Sequence, residues 1–535
     1  MTEGSARDSA HVDTFVGERL PPTDQWPELL WDLPDLQYGQ HLNACVELLD
    51  RTIDSHGGNR TAFIADDGTW TYAQLLDDVC AVASLLRDHG VLPGNRVLLR
   101  GPNNGRLVVA WLAALRVGAV VVTTIPMLRA TELDAIIDIA QPSVAIVDHR
   151  FLEDWNGCRF NGTTIQYGDG SAESMEVRAR TVTDASDPVD TFSTDIALLA
   201  FTSGTTGRPK ATMHAHRDIL AIADTFSAHV VKPLSSDVFS GSPPLAFTFG
   251  LGGLVVFPMR VGACSVLLEM GAPPKLLEAI GTHGITCLFT APTAYRAMLT
   301  DIAGRDVSSL RRCVSAGETL PEATWRAWFD ATGVPLIDGI GATEMLHIFI
   351  SASDDDIRPG RTGRAVPGYR AQVVDDDLQP LPPNTPGRLA VQGPTGCRYL
   401  DDERQSVYVR GGWNLTGDIY EMDEDGYFRY IARADDMIVS SGYNIAAPEV
   451  ENALLSHPAV QEVAVVGTPD EDRGMVVTAY VVLAPVTSPS DDLRRELQDH
   501  VKASIAPYKY PRILEFVDAL PKTATGKLQR FRLRG

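Results

Sequence analysis

IALLAFTSGTTGRPK, residues 196–210, reads as a buried strand running into a loop of glycine, threonine and lysine. IALLAF is a short unbroken apolar run, the pattern of a strand covered on both faces. In TSGTTGRPK two glycines permit tight turns that aim backbone N–H groups inward, and Thr/Ser hydroxyls and Lys210 add further donors. Such a nest suits phosphate oxygens. It is not a Walker loop, because Gly207 is followed by Arg208 and Pro209 rather than by lysine. Ile219, Ile222, Phe226 and Val230 step by three and four, so the loop is expected to lead into a helix. A Gly/Thr loop between strand and helix is more often an ordinary turn, so the phosphate reading depends on its surroundings.

Upstream, strands and helices alternate. Thr71 caps a helix with the stripe Leu75, Val79, Val82, Leu86, closed by Gly90. RVLLR (96–100), a helix at 107–116, AVVVT (119–123), a helix at 133–140 and SVAIV (143–147) follow. The rhythm returns downstream with SVLLE (265–269), ITCLF (285–289) and RCVSA (312–316). Short buried strands alternating with helices predict βαβ units and parallel sheets. Between 360 and 428 short segments and turn signals such as LPPNTPG (381–387) predict antiparallel, barrel-like strands. After Asp435 about a hundred residues read as a small α/β unit, with helices at 448–455 and 490–501 and strands at 460–466 and 477–483. The expected fold is α/β: an N-terminal domain over 1–434 and a smaller, mobile C-terminal domain over 435–535.

The 535 residues are 44% hydrophobic and 21% charged, which suits a globular chain with a large core. With 69 Asp and Glu against 46 Lys and Arg the formal charge is −23. That field repels a phosphate backbone, so no nucleic-acid partner is expected. Seven scattered cysteines form no C-x-x-C pair and suit a reducing cytosol. MTEGSARDSAHVD has no apolar signal core, and the apolar stretch 107–128 is broken by Arg116 and Gly118. A soluble cytoplasmic protein, not membrane-bound, is expected.

Four more segments carry chemistry. In GIGATE (339–344) Glu344 offers a hard oxygen ligand, and one carboxylate with substrate phosphates is a common way to hold Mg²⁺. A surface Glu opening a helix is the plainer alternative. In TGD (416–418) a carboxylate after a tight turn suits a ribose diol. RADD (433–436) leads into MIVSSGYNI, and PKTATGKLQR (521–530) is a basic loop late in an acidic chain.

Together and in this order these segments resemble the adenylate-forming superfamily of acyl-CoA synthetases, carrier-protein adenylation domains and luciferases, over about 42–530. DGIGATEMLHIFIS (338–351), RPGRTGRAVPGYR (358–370) and APYKYPRILEFVDALPKTATGKLQRFRLR (506–534) are most similar to benzoate- and 2-aminobenzoate-CoA ligases. LPPTDQWPELLWDLPDLQYGQHLNACVELLD (20–50) resembles the 2-aminobenzoate branch.

The resemblance implies an ATP- and Mg²⁺-dependent enzyme that joins an aryl carboxylate to AMP, expels pyrophosphate and passes the acyl group to coenzyme A. It implies that Thr202, Ser203, Gly204, Thr205, Thr206, Gly207 and Lys210 embrace the β- and γ-phosphates, Glu344 holds Mg²⁺ and Thr343 touches the α-phosphate. Asp418 and Arg433 bind the ribose. The SAGE turn (315–318) with Ala316 and Gly317, and Asp338, Gly339, Ile340 and Gly341, line the adenine and acyl pockets. Phe247 and His347 flank the carboxylate site. Lys527 reaches the carboxylate and the α-phosphate, and Asp435 is the hinge about which the small domain turns between half-reactions.

There are departures. Ile340 stands where an aromatic is often found, Phe247 where many fatty-acyl relatives carry His, and Val439 where a lysine is common. Arg473 and the turn at 441–442 are candidates for the CoA channel. Two alternatives stay open: loading of an aryl acid onto the phosphopantetheine of a separate carrier protein, and a catalytically silent nucleotide sensor. The ring substituent is also open among unsubstituted, 2-amino and 2-hydroxy, since one pocket donor or acceptor decides it; so is the oligomeric state.

Overall fold

The computed structural model describes residues 8–182, 187–202, 209–440, 443–470, 474–485, 487–522 and 528–534. The chain forms two compact units, one of residues 1–371 with 391–414, the other of 372–390 with 415–535.

The first unit holds two mainly parallel sheets with antiparallel edges. The six-stranded sheet runs in the order Thr163–Tyr167, Val144–Asp148, Arg96–Arg100, Val120–Thr124, Ile196–Thr202, Lys210–Ala215. RVLLR is buried at every position, as a strand covered on both faces must be. The nine-stranded sheet places Ile348–Ser351, Leu336–Gly341, Arg312–Ala316, Cys287–Thr290 and Val238–Gly241 side by side.

The helix Tyr72–Asp88 starts where expected. The Thr71 side chain accepts from Gln74 N and the Gln74 side chain returns to the Thr71 backbone. Its stripe Leu75, Val79, Val82 and Leu86 is buried, and each such side chain contributes about 1.5–3 kcal/mol.

One local expectation is corrected. The TSGTTGRPK loop does not lead into a helix. Lys210–Ala215 is a strand antiparallel to Ile196–Thr202, with Thr202 opposite Lys210, and the helix begins only at His216. Ala211 and Met213 pack into the core on one face while Thr212 and His214 are buried on the other. The alternation of a strand is present in KATMHA, but it spans only six residues between a Gly/Thr loop and the helical stripe that starts at Ile219, which obscures it. Ile219, Ile222, Phe226 and Val230 are buried as expected, on His216–Ile222 and the π-helical Ala223–Val231.

In the second unit 418–422 pair antiparallel with Phe428–Arg433. Val460–Asp470 is antiparallel to Gly474–Leu483, which is parallel to Ile513–Phe516. The helices Ala447–Leu455 and Asp491–Ser504 contribute Val450, Leu454, Leu497 and Val501 to the same core as Val465 and Val477. Ser490 caps the second helix by accepting from Leu493 N. The expected boundary at 434/435 falls in the 3₁₀ turn Ala434–Asp436. Among the described residues no helix is long and apolar enough to cross a membrane.

Candidate active site

Lys210 opens the second strand of the hairpin, and its Nζ lies 2.9 Å from Glu344 Oε1. Tyr399 OH donates to the same oxygen at 2.5 Å, and Lys210 also donates to the Tyr399 hydroxyl. The ammonium sits 4.5 Å from the Tyr399 ring centroid and 5.5 Å from that of Tyr408. Glu344 is 7% exposed, so it is not a surface carboxylate. Burial alone would raise its pKa, but the Lys210 charge and the hydrogen bonds from Tyr399 and Lys210 outweigh that and hold it below its ordinary value. The Thr202 hydroxyl is buried without a partner among the described residues. Ser203, Gly204, Thr205, Thr206 and Gly207 lie outside those residues.

Thr343 and Glu344 form the 3₁₀ turn Thr343–Met345. His214, four residues after Lys210, donates from Nε2 to the Thr343 carbonyl at 2.8 Å. Burial pushes its pKa down to about 4, so the ring is neutral with the proton on Nε2. Leu346 follows with φ 66° and ψ −32°, a strained conformation for a residue with a side chain, costing about 1–3 kcal/mol. It turns the chain into Ile348–Ser351 and leaves His347 inside the protein.

His347 is 2% exposed. Its ring centroid lies 4.7 Å from that of Phe257, 5.2 Å from Phe226 and 5.7 Å from Phe249. Neither ring nitrogen has a hydrogen bond of normal geometry. Burial pushes its pKa down to about 3, so it is neutral. A Cβ on Gly252 would stand 2.4 Å from His347 Cδ2, so that position admits only glycine while the ring stays in place. Phe247, the aromatic expected here from sequence, is half-buried and precedes the helix Thr248–Leu251.

Asp338, Gly339, Ile340 and Gly341 lie on Leu336–Gly341, and Ala316 pairs with Gly339 across the neighbouring strand. A Cβ on Gly339 would meet Ile348 at 2.8 Å, and Gly317 takes φ +89°, which shapes the SAGE turn. Burial pushes the Asp338 carboxyl up to about 8. It lines a shallow cleft with Trp325, Arg358 and Arg361.

In the second unit Asp418 and Arg433 face each other in register, with Arg433 Nη1 donating to Asp418 Oδ1 at 2.9 Å. Asp435 is the middle residue of the turn Ala434–Asp436. Lys527, Arg473, Ser441 and Gly442 lie outside the described residues. The ends of the Lys527 loop are tied: Lys522 and Leu528 bridge, and Gln529 N donates to Pro521 O at 2.8 Å. Arg530 donates to both carboxylate oxygens of Glu451, at 2.9 and 2.8 Å.

Among the described residues no three or more His, Cys, Asp or Glu side chains gather into a metal site. Glu344 has its Oε1 occupied by Lys210 and Tyr399, while Oε2 meets no other side chain among those residues. A single buried carboxylate fits Mg²⁺, which is commonly held by one protein carboxylate, substrate phosphates and water.

Sequence reasoning reached Lys210, Glu344 and His347 and missed Tyr399, His214, Phe226, Phe249 and Phe257 as their partners. The isolated bridge of Tyr399 to Thr212 is long-range, and no local pattern announces it.

Residues 49–398 match the family model for AMP-binding enzymes, and 449–527 match that of their C-terminal domain. The chain is 35% identical to benzoate–CoA ligase of Thauera aromatica, over 94% of this chain and 97% of that one. Among solved structures, the anthranilate CoA ligase AuaEII in complex with anthranoyl-AMP has a TM-score of 0.88 at 36% identity, covering 94% of this chain and 98% of that one. A benzoate CoA ligase from Burkholderia xenovorans LB400 has 0.84 at 32%, covering 92% and 100%. The chain therefore belongs to the AMP-binding enzyme family and is an AMP-forming acid–thiol ligase.

Proposed function

We propose that this ligase activates an aromatic carboxylic acid of the benzoate or 2-aminobenzoate type as the acyl-adenylate and transfers it to coenzyme A, releasing AMP and pyrophosphate. The observation that carries the reading is the placement of Glu344, ion-paired to Lys210, three residues before His347 in its cage of phenylalanine rings. Charge handling and an aromatic cage thus hang on one short segment. The relatives named for benzoate and the anthranoyl-AMP complex support the same substrate class.

In this reading a carboxylate oxygen of the acid attacks the α-phosphorus of ATP and pyrophosphate leaves. The CoA thiolate then attacks the acyl carbon and AMP leaves. In-line substitution at phosphorus needs positioning and charge neutralisation more than covalent help. Lys210, with the 202–207 loop, takes the β- and γ-phosphates. Thr343 contacts the α-phosphate, and Asp418 and Arg433 hold the ribose. Mg²⁺, when bound to Glu344, neutralises phosphate charge. Lys527 brings a point charge to the carboxylate and α-phosphate, and rotation at Asp435 withdraws it after adenylation, the small domain being 435–535.

Asp338–Gly341 and Ala316–Gly317 border the adenine and acyl pockets. In this reading Phe247, Ile340 and the rings around His347 border a flat apolar slot, which a planar acid enters at little cost in rotamer entropy. His347, whose ring nitrogens make no hydrogen bond of normal geometry, is in this reading the group that meets an ortho substituent. We place the enzyme in the cytoplasm, a reading supported by seven cysteines none of which is in a disulfide.

The test is ATP–pyrophosphate exchange by the purified protein over a panel of acids. Benzoate and 2-aminobenzoate should support it and octanoate poorly. Exchange without thioester formation from free CoA would favour the carrier-loading alternative, and no exchange with any acid would favour the silent sensor.

A further inference from the structure

We propose that Tyr399 is a positioning residue for the Glu344 carboxylate: its phenol holds Oε1 so that Oε2 stays presented to a divalent cation when Lys210 turns to the nucleotide. The inference rests on the reading of Glu344 as the cation ligand.

Three observations carry it. The first is convergence: Glu344 Oε1 receives both Lys210 Nζ, at 2.9 Å, and Tyr399 OH, at 2.5 Å. These donors differ in what they can do next. A lysine ammonium is mobile on its stem and is drawn to phosphate, whereas a phenol moves only with its ring.

The second is that this ring is fixed. Tyr399 is fully buried. Its backbone N donates to Gln405 Oε1 at 2.8 Å. Its neighbours pair with the strand that carries Lys210: Met213 N donates to Arg398 O at 2.8 Å and Leu400 N to Ala211 O at 2.9 Å. Arg398 is in turn tied to Asp218 at 2.5 Å. The phenol is thus built into the same framework as the hairpin, and its hydroxyl is pre-aimed.

The third is chemical. A phenol carries an O–H donor and an ionised carboxylate only accepts, so the 2.5 Å contact runs from Tyr399 to Glu344. Once Lys210 departs, Tyr399 is the remaining donor to Oε1 among the described residues. A hydrogen bond to a charged group is large enough to change an equilibrium about tenfold or more, so the loss of this one should be read in cation affinity.

The experiment compares the full-length protein with Tyr399→Phe, Glu344→Gln and the double variant. Free Mn²⁺ is followed by electron paramagnetic resonance with a non-hydrolysable ATP analogue present, and exchange kinetics are measured over a range of Mg²⁺. Tyr399→Phe should weaken Mn²⁺ binding about tenfold and raise the half-saturating Mg²⁺ by a similar factor. The kcat at saturating metal should stay within about twofold and the KM for the acid should not move. In the Glu344→Gln background Tyr399→Phe should add nothing, because the carboxylate it orients is gone.

Unchanged metal affinity in Tyr399→Phe, or a fall in kcat alone, would overturn the inference. If Glu344→Gln itself bound Mn²⁺ like the parent, the reading of Glu344 would fail instead, a distinguishable result. Should Tyr399→Phe not fold, recovery of a folded protein in the double variant would support service to the Glu344 charge, and no recovery would overturn it.

Discussion

Lys210 and Glu344 meet at 2.9 Å, largely buried, their side chains 18% and 9% exposed. Each is the charge partner of the other, while the proposed chemistry assigns them to opposite tasks. An anion that draws Lys210 away leaves a buried carboxylate in need of a cation. The arrangement therefore favours arrival of the triphosphate together with a divalent metal.

Breaking this pair from one side strands a buried charge. Lys210→Met should cost about 3–5 kcal/mol of unfolding free energy, the usual size for such a loss. Adding Glu344→Gln should restore a large part of it. Urea unfolding of the two variants and the parent checks this, and a double variant no more stable than Lys210→Met would contradict the pairing.

Three histidines of the first unit are buried and neutral: His214 with a pKa near 4, and His216 and His347 near 3, all pushed down by burial from 6.5. Because the unfolded chain takes up their protons first, they cost no stability above about pH 6.5. Stability is lost as pH falls from there toward the folded values, by up to about 1.4 kcal/mol per pH unit for each ring. His347→Leu should remove one such contribution, so its stability should fall less steeply than the parent's between pH 6 and 4. Equal slopes would show that the ring is hydrated or protonated in the fold.

Gly252→Ala presses a methyl group on the His347 ring, whose Cδ2 and Nε2 would lie 2.4 and 2.7 Å from it. The ratio of kcat/KM for 2-aminobenzoate to that for benzoate should shift severalfold, with the KM for ATP unchanged. A shift in the ATP KM with a constant acid ratio would separate His347 from the acyl pocket.

Much of the fold could be read from local pattern because it is locally determined: RVLLR and IALLAF are strands for the apolar runs VLL and IALLAF, and the Thr71–Gln74 capping box marks its helix. The hairpin strand Lys210–Ala215 was not legible, since its alternation is only six residues long and runs directly into the helical stripe that starts at Ile219. At the site, Glu344 and Lys210 stand out through their motifs, but their partner Tyr399 does not. Its role comes from hydrogen bonds between residues far apart in sequence, Met213 with Arg398 and Leu400 with Ala211. The phenylalanines around His347 are likewise ordinary core residues by pattern, and only packing turns them into a cage.

Lys527→Ala should suppress adenylation far more than it suppresses thioester formation from pre-formed acyl-AMP. The charge is needed while pyrophosphate leaves, and the second half-reaction makes no such demand. An equal fall in both half-reactions, with the fold intact by circular dichroism, would remove this assignment.

The central claim is tested most directly by incubating the purified protein with ATP, Mg²⁺, CoA and either benzoate, 2-aminobenzoate or octanoate, and identifying products by mass spectrometry. The account predicts benzoyl-CoA and 2-aminobenzoyl-CoA, each formed one-for-one with AMP, and little octanoyl-CoA. Octanoyl-CoA formed as readily as the aryl thioesters, or no aryl thioester at all, would contradict it.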